Sequence, residues 1–288
     1  MNKAILKLAL IATLLTTSSL WAKPLKVQWR LRGGATWTGD LHGRSGENFI
    51  LLQRPGKDLK PVGVGVNTII ELKFKVNVDA KDLGDLMEEK EFALVSAKLE
   101  PALKPFVEYD DIPSNLTPYN VMLMEAYYRT GDFDKTLAVA KRVAKDDRDP
   151  ELQARSKVYQ ILAMIDAGKV AEAESLIRSF GWDKNLTEVT SPEQLYIMAK
   201  FMTLKKDYSE AMLYVARVIA FNSSNMDWMK PSELLCAEIY TEMGLYDSAE
   251  EICGQIEELY KGSVEYDQAK VLKQKIEKLR PLEKKNAE

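Results

Sequence analysis

The stretch that decides the fold is AYYRTGDFDKTLA at residues 126–138, because its pattern returns in LCAEIYTEMGLYDSA at residues 235–249. In each segment a tyrosine stands four residues before a glycine, Tyr127 before Gly131 and Tyr240 before Gly244. An aromatic residue follows two positions after each glycine, and a small residue three positions after that. A spacing shared by two distant segments indicates a repeated structural unit.

Three further segments carry the pattern, around Lys90, Gly168 and Lys206. With Gly131 and Gly244 they form five reference positions at intervals of 41, 37, 38 and 38 residues. After residue 79 the apolar residues recur every three or four positions, which is typical of amphipathic helices. An interval in this range predicts helix pairs that stack one upon the next.

Each unit resembles a tetratricopeptide repeat (TPR), in which helix A, a tight turn and helix B follow one another. The family's aromatic residue at the start of helix B is matched by Phe92, Phe133, Tyr208 and Tyr246, with Val170 weaker. Its small residue at the helix crossing is matched by Ala173, Ala211 and Ala249, whereas Val95 and Thr136 depart from it. The resemblance implies a TPR-like α-solenoid of antiparallel helix pairs, about five units, over residues 79–262. A C-terminal capping helix at 263–280 and a flexible tail at 281–288 are expected to follow.

Residues 23–78 have a different character, with five short segments of alternating or β-branched residues separated by Gly, Asp, Asn and Pro. This pattern predicts five short strands closing into a small barrel. The spacing of Leu31, Gly34, Trp37, Gly39 and Leu41 resembles the first Sm motif. That resemblance implies an Sm-like or SH3-like barrel, and the second Sm motif with its RNA contact is not visible. The predicted fold class is therefore mainly α with a small all-β module.

The N terminus is typical of a secretory signal peptide. Lys3 and Lys7 precede or flank an apolar run, LALIATLL, and small polar residues follow up to Ala22. The run is short for a membrane span. We expect residues 1–22 to be cleaved after Ala22 and the mature chain to be periplasmic or secreted, without a membrane span.

Cys236 and Cys253 lie at equal distances from the turn at Gly244 and Leu245, so they fall at the same level of two facing helices. In an exported protein this placement is compatible with a disulfide. Two buried free thiols at core positions are the alternative, since free cysteine is commonly buried. The sequence leaves both open.

Nothing in the sequence indicates catalysis. Phosphate-loop, zinc-protease, nucleophile-elbow and dinucleotide motifs are absent, and a single histidine, His42, cannot by itself make a metal site. A formal charge of −3 argues against a nucleic-acid binder that acts through bulk charge. We therefore expect no enzyme activity, no cofactor, no metal and no nucleic-acid partner.

Helix-A faces line a groove in TPR proteins, so the resemblance implies candidate binding residues. These are Glu125, Tyr128, Arg129, Arg155, Leu162, Asp166, Tyr196, Lys200, Glu238 and Glu242. Aromatic residues and both signs of charge suit a peptide or protein segment. The predicted function is a protein–protein interaction or scaffold module of the cell envelope, with an unidentified protein or peptide partner. The alternative is a carbohydrate-binding or hydrolytic site on the barrel, using Trp29 or Trp37.

Overall fold

The computed structural model describes residues 24–56, 60–145, 148–184, 186 and 190–286. A five-stranded sheet comes first, and α-helices make up most of the chain after it. The chain forms two compact units. The first extends to Thr130 and includes residues 138–153, and the second contains residues 131–137 and everything from Ala154 onward. The predicted signal peptide, residues 1–22, lies outside the described residues.

The sheet is antiparallel, and its strands occupy the five segments expected from the sequence. Their order across the sheet is β4-β3-β2-β1-β5, with a short 3-10 turn at Val66–Thr68 between β4 and β5. The strands are β1 Leu25–Leu31, β2 Thr36–Arg44, β3 Phe49–Gln53, β4 Val62–Gly65 and β5 Ile69–Phe74.

One face of the sheet is buried. Val27, Trp29, Leu41, Ile50 and Leu72 are each at most 2% exposed, and they alternate with more exposed residues along their strands. This alternation is the period-two pattern of strands with one face in the core.

The outer edge of β5 is covered by residues 106–115, which lie between the first helix pair and the second. The Leu72 amide donates to the Pro113 carbonyl (2.8 Å), and the Asn115 amide donates to the Leu72 carbonyl (3.2 Å). The Asn115 side chain also bonds both the amide (2.8 Å) and the carbonyl (3.0 Å) of Phe74. The Phe106 ring packs 4.7 Å from the Phe74 ring. Covering an edge strand in this way satisfies its backbone groups and blocks further pairing.

The helices alternate with short turns. Their bounds are α1 Ala80–Glu88, α2 Phe92–Leu103, α3 Thr117–Arg129, α4 Phe133–Val143, α5 Pro150–Asp166, α6 Val170–Ser179, α7 Pro192–Leu204, α8 Tyr208–Phe221, α9 Met226–Glu242, α10 Tyr246–Leu259 and α11 Val264–Asn286. A second 3-10 segment, Lys104–Tyr109, follows α2. In the described part of the chain, no helix combines the length and the apolar character needed to cross a membrane.

All five reference positions of the repeat have a positive φ. Gly131, Gly168 and Gly244 have φ between 70° and 80°, and Lys90 and Lys206 both have 62°. At Gly168 the turn closes with two bonds, from the Gly168 amide to Ile165 and from the Lys169 amide to Met164. This is the left-handed helix end that satisfies the last carbonyls of a helix. Five chain positions separated by 37 to 41 residues therefore share one backbone conformation.

The predicted crossing residues are also equivalent in the structure. Val95, Thr136, Ala173, Ala211 and Ala249 are all 0% exposed. Thr136 is the polar residue among these five, and its buried hydroxyl has a hydrogen-bond partner, because it donates to the Asp132 carbonyl at 2.9 Å. Each residue lies on the fourth position of its B helix, where a small side chain allows close approach of a neighbouring helix.

In the second unit, neighbouring helices pack in pairs and pairs pack on each other. α7 contacts α8, α9 contacts α10, and α9 also contacts both α7 and α8. α11 packs on α9 and α10, and it shares with them a core cluster that includes Ala237, Cys253, Ile256, Leu272 and Ile276. Helix α11 starts close to the expected capping helix but continues to Asn286, past the predicted boundary of the flexible tail. Leu282 and the lysines after Pro281 are good helix formers.

We expect Gly168→Ala to lower the free energy of unfolding by about 1–2 kcal/mol, because an L side chain disfavours φ near 70°. Gly254→Ala is the matched control, since Gly254 lies inside α10 and an added Cβ would meet no atom within 4 Å. That change should raise stability by about 0.5–1 kcal/mol through helix propensity. Urea denaturation of the two variants measures the difference. Equal effects of the two substitutions would contradict the left-handed turn.

Candidate functional site

A cavity of about 670 Å³ lies within the second unit, where three helices end beside a fourth. Its walls come from the last turns of α5 and α7, the second half of α9, and one side of α11. We call it the helix-end cavity. Its apolar lining residues are Ile165, Leu204, Leu235, Val271 and Leu272, and its charged lining residues are Asp166, Lys200, Lys206, Glu238, Glu242 and Lys275. A volume of this size falls within the range of binding sites for small molecules or a few side chains.

The repeat itself brings these residues together. Asp166 and Glu242 are the last residues of α5 and α9, and Leu204 is the last residue of α7. A left-handed turn follows each of these helices, at Gly168, Lys206 and Gly244. Equivalent positions of successive units therefore contribute to one cavity.

Two ion pairs bridge neighbouring helices along the cavity wall. Lys200 of α7 pairs with Asp166 of α5, and Lys275 of α11 pairs with Glu242 of α9 at 2.9 Å. The two pairs join residues 34 and 33 positions apart, close to one repeat. The Lys200–Asp166 pair is the better shielded, with about a fifth of each side chain exposed, whereas Lys275 and Glu242 are about half exposed. Exposed pairs of this kind contribute about 0–1 kcal/mol each, so they order the wall more than they stabilise the fold.

Glu238 lies one helical turn before Glu242 on α9 and has no ion-pair partner in the described part of the chain. Glu238 is exposed, and it lines the helix-end cavity. Partial desolvation by the helices that line the cavity raises the pKa of the Glu238 carboxyl above its ordinary value. Lys200 and Lys275 oppose that rise, and Asp166 and Glu242 add to it.

Four of the ten binding candidates predicted from the sequence line the helix-end cavity: Asp166, Lys200, Glu238 and Glu242. Two more from the same unit are in its core. Leu162 is 1% exposed, and Tyr196 is 9% exposed with its ring 5.5 Å from the Trp228 ring. Arg155 is exposed but does not line the cavity.

The remaining three candidates belong to helix α3 of the first unit. Glu125 is buried at 7% exposure and its carboxylate lies 4.0 Å from the Arg129 guanidinium. Tyr128 is half-buried and Arg129 is exposed. These residues form a separate local cluster on one helix.

Sequence reasoning missed the wall formed by α11. Gln268, Val271, Leu272 and Lys275 line the cavity, although the sequence assigned this helix only a capping role. The available signal in the sequence was Val271, an apolar residue beside the stripe that Leu272 and Ile276 form at a spacing of four. In the structure Leu272 and Ile276 are buried, while Val271 is 65% exposed. An apolar residue exposed beside a buried stripe indicates a second contact surface on a helix.

The two cysteines are free and buried, so the disulfide allowed by the sequence is not formed. The two cysteines lie at the same level of the facing helices α9 and α10, but their side chains point in different directions. Cys253 packs in the core shared with Ala237 of α9, whereas the Cys236 sulfur lies 3.9 Å from the Met212 sulfur of α8. Adjacent residues on a helix point about 100° apart, so Cys236 turns away from the face that Ala237 presents. Burial raises the pKa of both thiols to about 11, which keeps them protonated and weakly nucleophilic at neutral pH.

The tryptophans considered for the alternative function do not form a paired platform on the sheet. Trp29 is 2% exposed and belongs to the core of the sheet. Trp37 is 37% exposed, and the Arg54 guanidinium lies 3.5 Å from the centre of its ring. Sugar binding by stacking needs an open aromatic face, and Arg54 occupies one face of Trp37.

The described residues contain no group of three or more His, Cys, Asp or Glu side chains arranged to hold a metal ion. In comparisons with known proteins, no family model matches this chain, and no curated protein sequence does either.

Proposed function

We propose that this protein is a non-enzymatic interaction module that binds a peptide or protein segment in the helix-end cavity. The observation that carries the proposal is the composition of the cavity wall. Apolar side chains such as Leu204 and Val271 are exposed there beside ordered ion pairs. Sites that recognise peptides combine apolar contact with a few polar groups that fix orientation.

We further propose that the helix pairs belong to a TPR-like solenoid. Support comes from five left-handed turns at the reference positions, and from five fully buried crossing residues. TPR-like arrays present helix-A residues to their partners, and the helix-end cavity is built mainly from α5, α7 and α9, which are the A helices in this scheme.

For the sheet we propose an Sm-like or SH3-like barrel. The strand order β4-β3-β2-β1-β5 and the 3-10 turn between β4 and β5 support this proposal. So does Gly39, where the neighbouring strand approaches too closely for a side chain. Export to the periplasm or the medium remains part of the proposal, and it rests on the signal-like sequence of residues 1–22.

The test is selection of peptides from a displayed random library on the purified mature chain, followed by calorimetry with synthetic copies. We expect Val271→Arg to weaken binding at least about tenfold, because a long charged side chain would enter the cavity. Leu259→Arg is the matched control: Leu259 is 67% exposed on α10 and does not line the cavity, so binding should not change.

Failure to select any peptide would contradict the proposed function. Peptides that bind Val271→Arg and Leu259→Arg equally well would show that the binding site lies outside the helix-end cavity.

A further inference from the structure

The two outer edges of the sheet differ. β5 forms one edge, where residues 113–115 bond to the backbone of Leu72 and Phe74. β4, Val62–Gly65, forms the other edge, and in the described part of the chain no segment pairs with its outer side. Natural sheets commonly guard such an edge with charged side chains, proline or a bulge. β4 consists of two valines and two glycines and pairs with β3 without a register shift, so it has none of these guards.

The hydrogen-bond pattern shows which backbone groups of β4 face outward. The Val66 amide donates to the Asn48 carbonyl at 2.8 Å, in line with the register of β3 and β4. Bonded and non-bonded pairs alternate along an antiparallel ladder, so Val64 bonds to β3. The amides and carbonyls of Gly63 and Gly65 therefore point away from β3, toward the outer side of the edge.

Apolar side chains are uncovered on both faces of this edge. Val62 is paired with Leu52 and shares the core face with it, because paired residues of neighbouring strands point to the same side. Leu52 is 1% exposed, whereas Val62 is 62% exposed. On the opposite face Phe49 is 50% exposed, and an added Cβ at Gly65 would come within 3.8 Å of its ring. The core face is therefore covered at β5 and open at β4.

We propose that β4 pairs with β4 of a second copy of this chain, antiparallel and across a two-fold axis at Val64. This inference goes beyond the proposed function and does not depend on the helix-end cavity. In this register Gly63 of each copy lies opposite Gly65 of the other, and their outward amides and carbonyls bond to each other. The Gly65 carbonyl already accepts a hydrogen bond from the Thr68 hydroxyl at 2.7 Å, and its second lone pair serves the new ladder.

The same register suits the side chains. Val64 lies opposite its own copy in a non-bonded pair, the closer of the two kinds of pair, where β-branched side chains pack well. Val62 flanks this pair on the same face, so the apolar core face continues from one copy to the other. The glycines leave room for both Phe49 rings on the opposite face. No like charges are brought together, because β4 carries no charged residue.

The covered edge of β5 decides how copies can associate. A head-to-tail array of copies would need the outer edge of β5, which residues 113–115 occupy, so the pairing is isologous and closes at two copies. A strand from an unrelated protein fits less well, because strand addition takes its specificity from pockets for alternate side chains. The two glycines of β4 provide no such pockets. Since the ladder is only four residues long, we expect a weak dimer that depends on concentration.

The test is disulfide trapping of the purified mature chain under mild oxidant. Val64→Cys should form an intermolecular disulfide, because the two Cα atoms of a non-bonded pair lie about 4.5 Å apart, within disulfide range. Val62→Cys is the matched control: it is the more exposed position, but its two copies are four residues apart along the ladder, about 13 Å. It should stay unlinked. Cys236 and Cys253 are buried, so they add little background.

Charge pairing gives a second readout that misfolding cannot mimic. Sedimentation velocity of the wild-type chain should show a dimer that grows with concentration. Val64→Lys and Val64→Glu should each weaken this dimer about fivefold or more, because like charges would lie opposite each other. An equal mixture of the two variants should restore it.

Three outcomes would overturn the inference. One is a wild-type chain that stays monomeric at every concentration, including a monomer whose β4 edge takes a strand from another protein. Another is Val62→Cys linking as fast as Val64→Cys, which would mean random encounters rather than this register. The third is a mixture of Val64→Lys and Val64→Glu that dimerises no better than either variant alone.

Discussion

Gly39→Ala is expected to lower the free energy of unfolding of the first compact unit by about 3 kcal/mol. Gly39 lies in β2, opposite Val27 of β1. A Cβ at this position would overlap the Gln53 carbonyl oxygen and approach the ring of Trp29 to 2.9 Å. The oxygen belongs to the backbone of β3 and Trp29 is 2% exposed, so neither can move without opening the sheet.

Gly63→Ala is the matched control for this substitution. Gly63 is also a strand glycine of the sheet, in β4, but its added Cβ would meet only the Phe49 Cβ at 4.0 Å. We expect its effect on the free energy of unfolding to stay within about 0.5 kcal/mol. Hydrogen exchange of the amides in β1 and β2 reports on the sheet alone, which matters in a chain of two units. Protection equal to that of wild type in Gly39→Ala would refute the close approach of β3 to Gly39.

The same glycine illustrates what the sequence could predict. Gly39 is one of the two glycines in the Sm-like spacing of the sequence, and the structure brings the Gln53 carbonyl of the neighbouring strand too close to it for a Cβ. The repeat was predictable for a similar reason. Lys90 and Lys206 could be aligned with three glycines by interval alone, and both have the left-handed conformation of those glycines. The interval between repeats, and the need for a glycine where two backbones approach closely, are both written in the local sequence, so they can be inferred from the order of the residues.

Contacts between distant segments were less predictable. The cover over β5 depends on Asn115, which lies 41 residues after its partner Phe74 and carries no strand pattern. Asp110 lies in a stretch rich in Asp, Pro and Ser, but its side chain is 9% exposed and its carboxylate lies 3.6 Å from the Arg142 guanidinium. Burial raises the pKa of Asp110 to about 6. Local composition near Asp110 resembles a loop, and only the folded chain places Arg142 beside it.

The predicted binding residues also fall into two groups, those that the repeat places correctly and those whose position depends on packing between helices. The family resemblance named Asp166, Lys200, Glu238 and Glu242, which line one cavity, because a repeat fixes which helix face each residue occupies. It also named Tyr196, whose ring is buried against Trp228 of α9. Rotation of a helix by one residue is about 100°, so a small error in phase turns a surface position into a core position. The two cysteines show the same limit, because their matching levels left a disulfide and free thiols both open, and only the directions of the side chains in the structure distinguish these alternatives.

Ile276→Ala is expected to lower the free energy of unfolding of the second unit by about 3 kcal/mol. Ile276 is 0% exposed and belongs to the core that α11 shares with α9 and α10. Removing its side chain would leave a cavity among residues such as Ala237 and Ile256, which are held in place by their own helices. This loss in the free energy of unfolding has two sources: less apolar surface is buried, and the neighbouring side chains do not fill the cavity completely.

Val271→Ala provides the control on the same helix. Val271 is 65% exposed, so its truncation should change the free energy of unfolding by no more than about 0.5 kcal/mol. The two variants also separate stability from binding. Val271 lines the helix-end cavity directly, whereas Ile276 supports the cavity only by holding α11 against its neighbours. Hydrogen exchange in α10 and α11 should therefore increase in Ile276→Ala and stay at the wild-type level in Val271→Ala. Normal protection of α11 in Ile276→Ala would mean that this helix is anchored elsewhere, and that the cavity wall does not depend on the shared core.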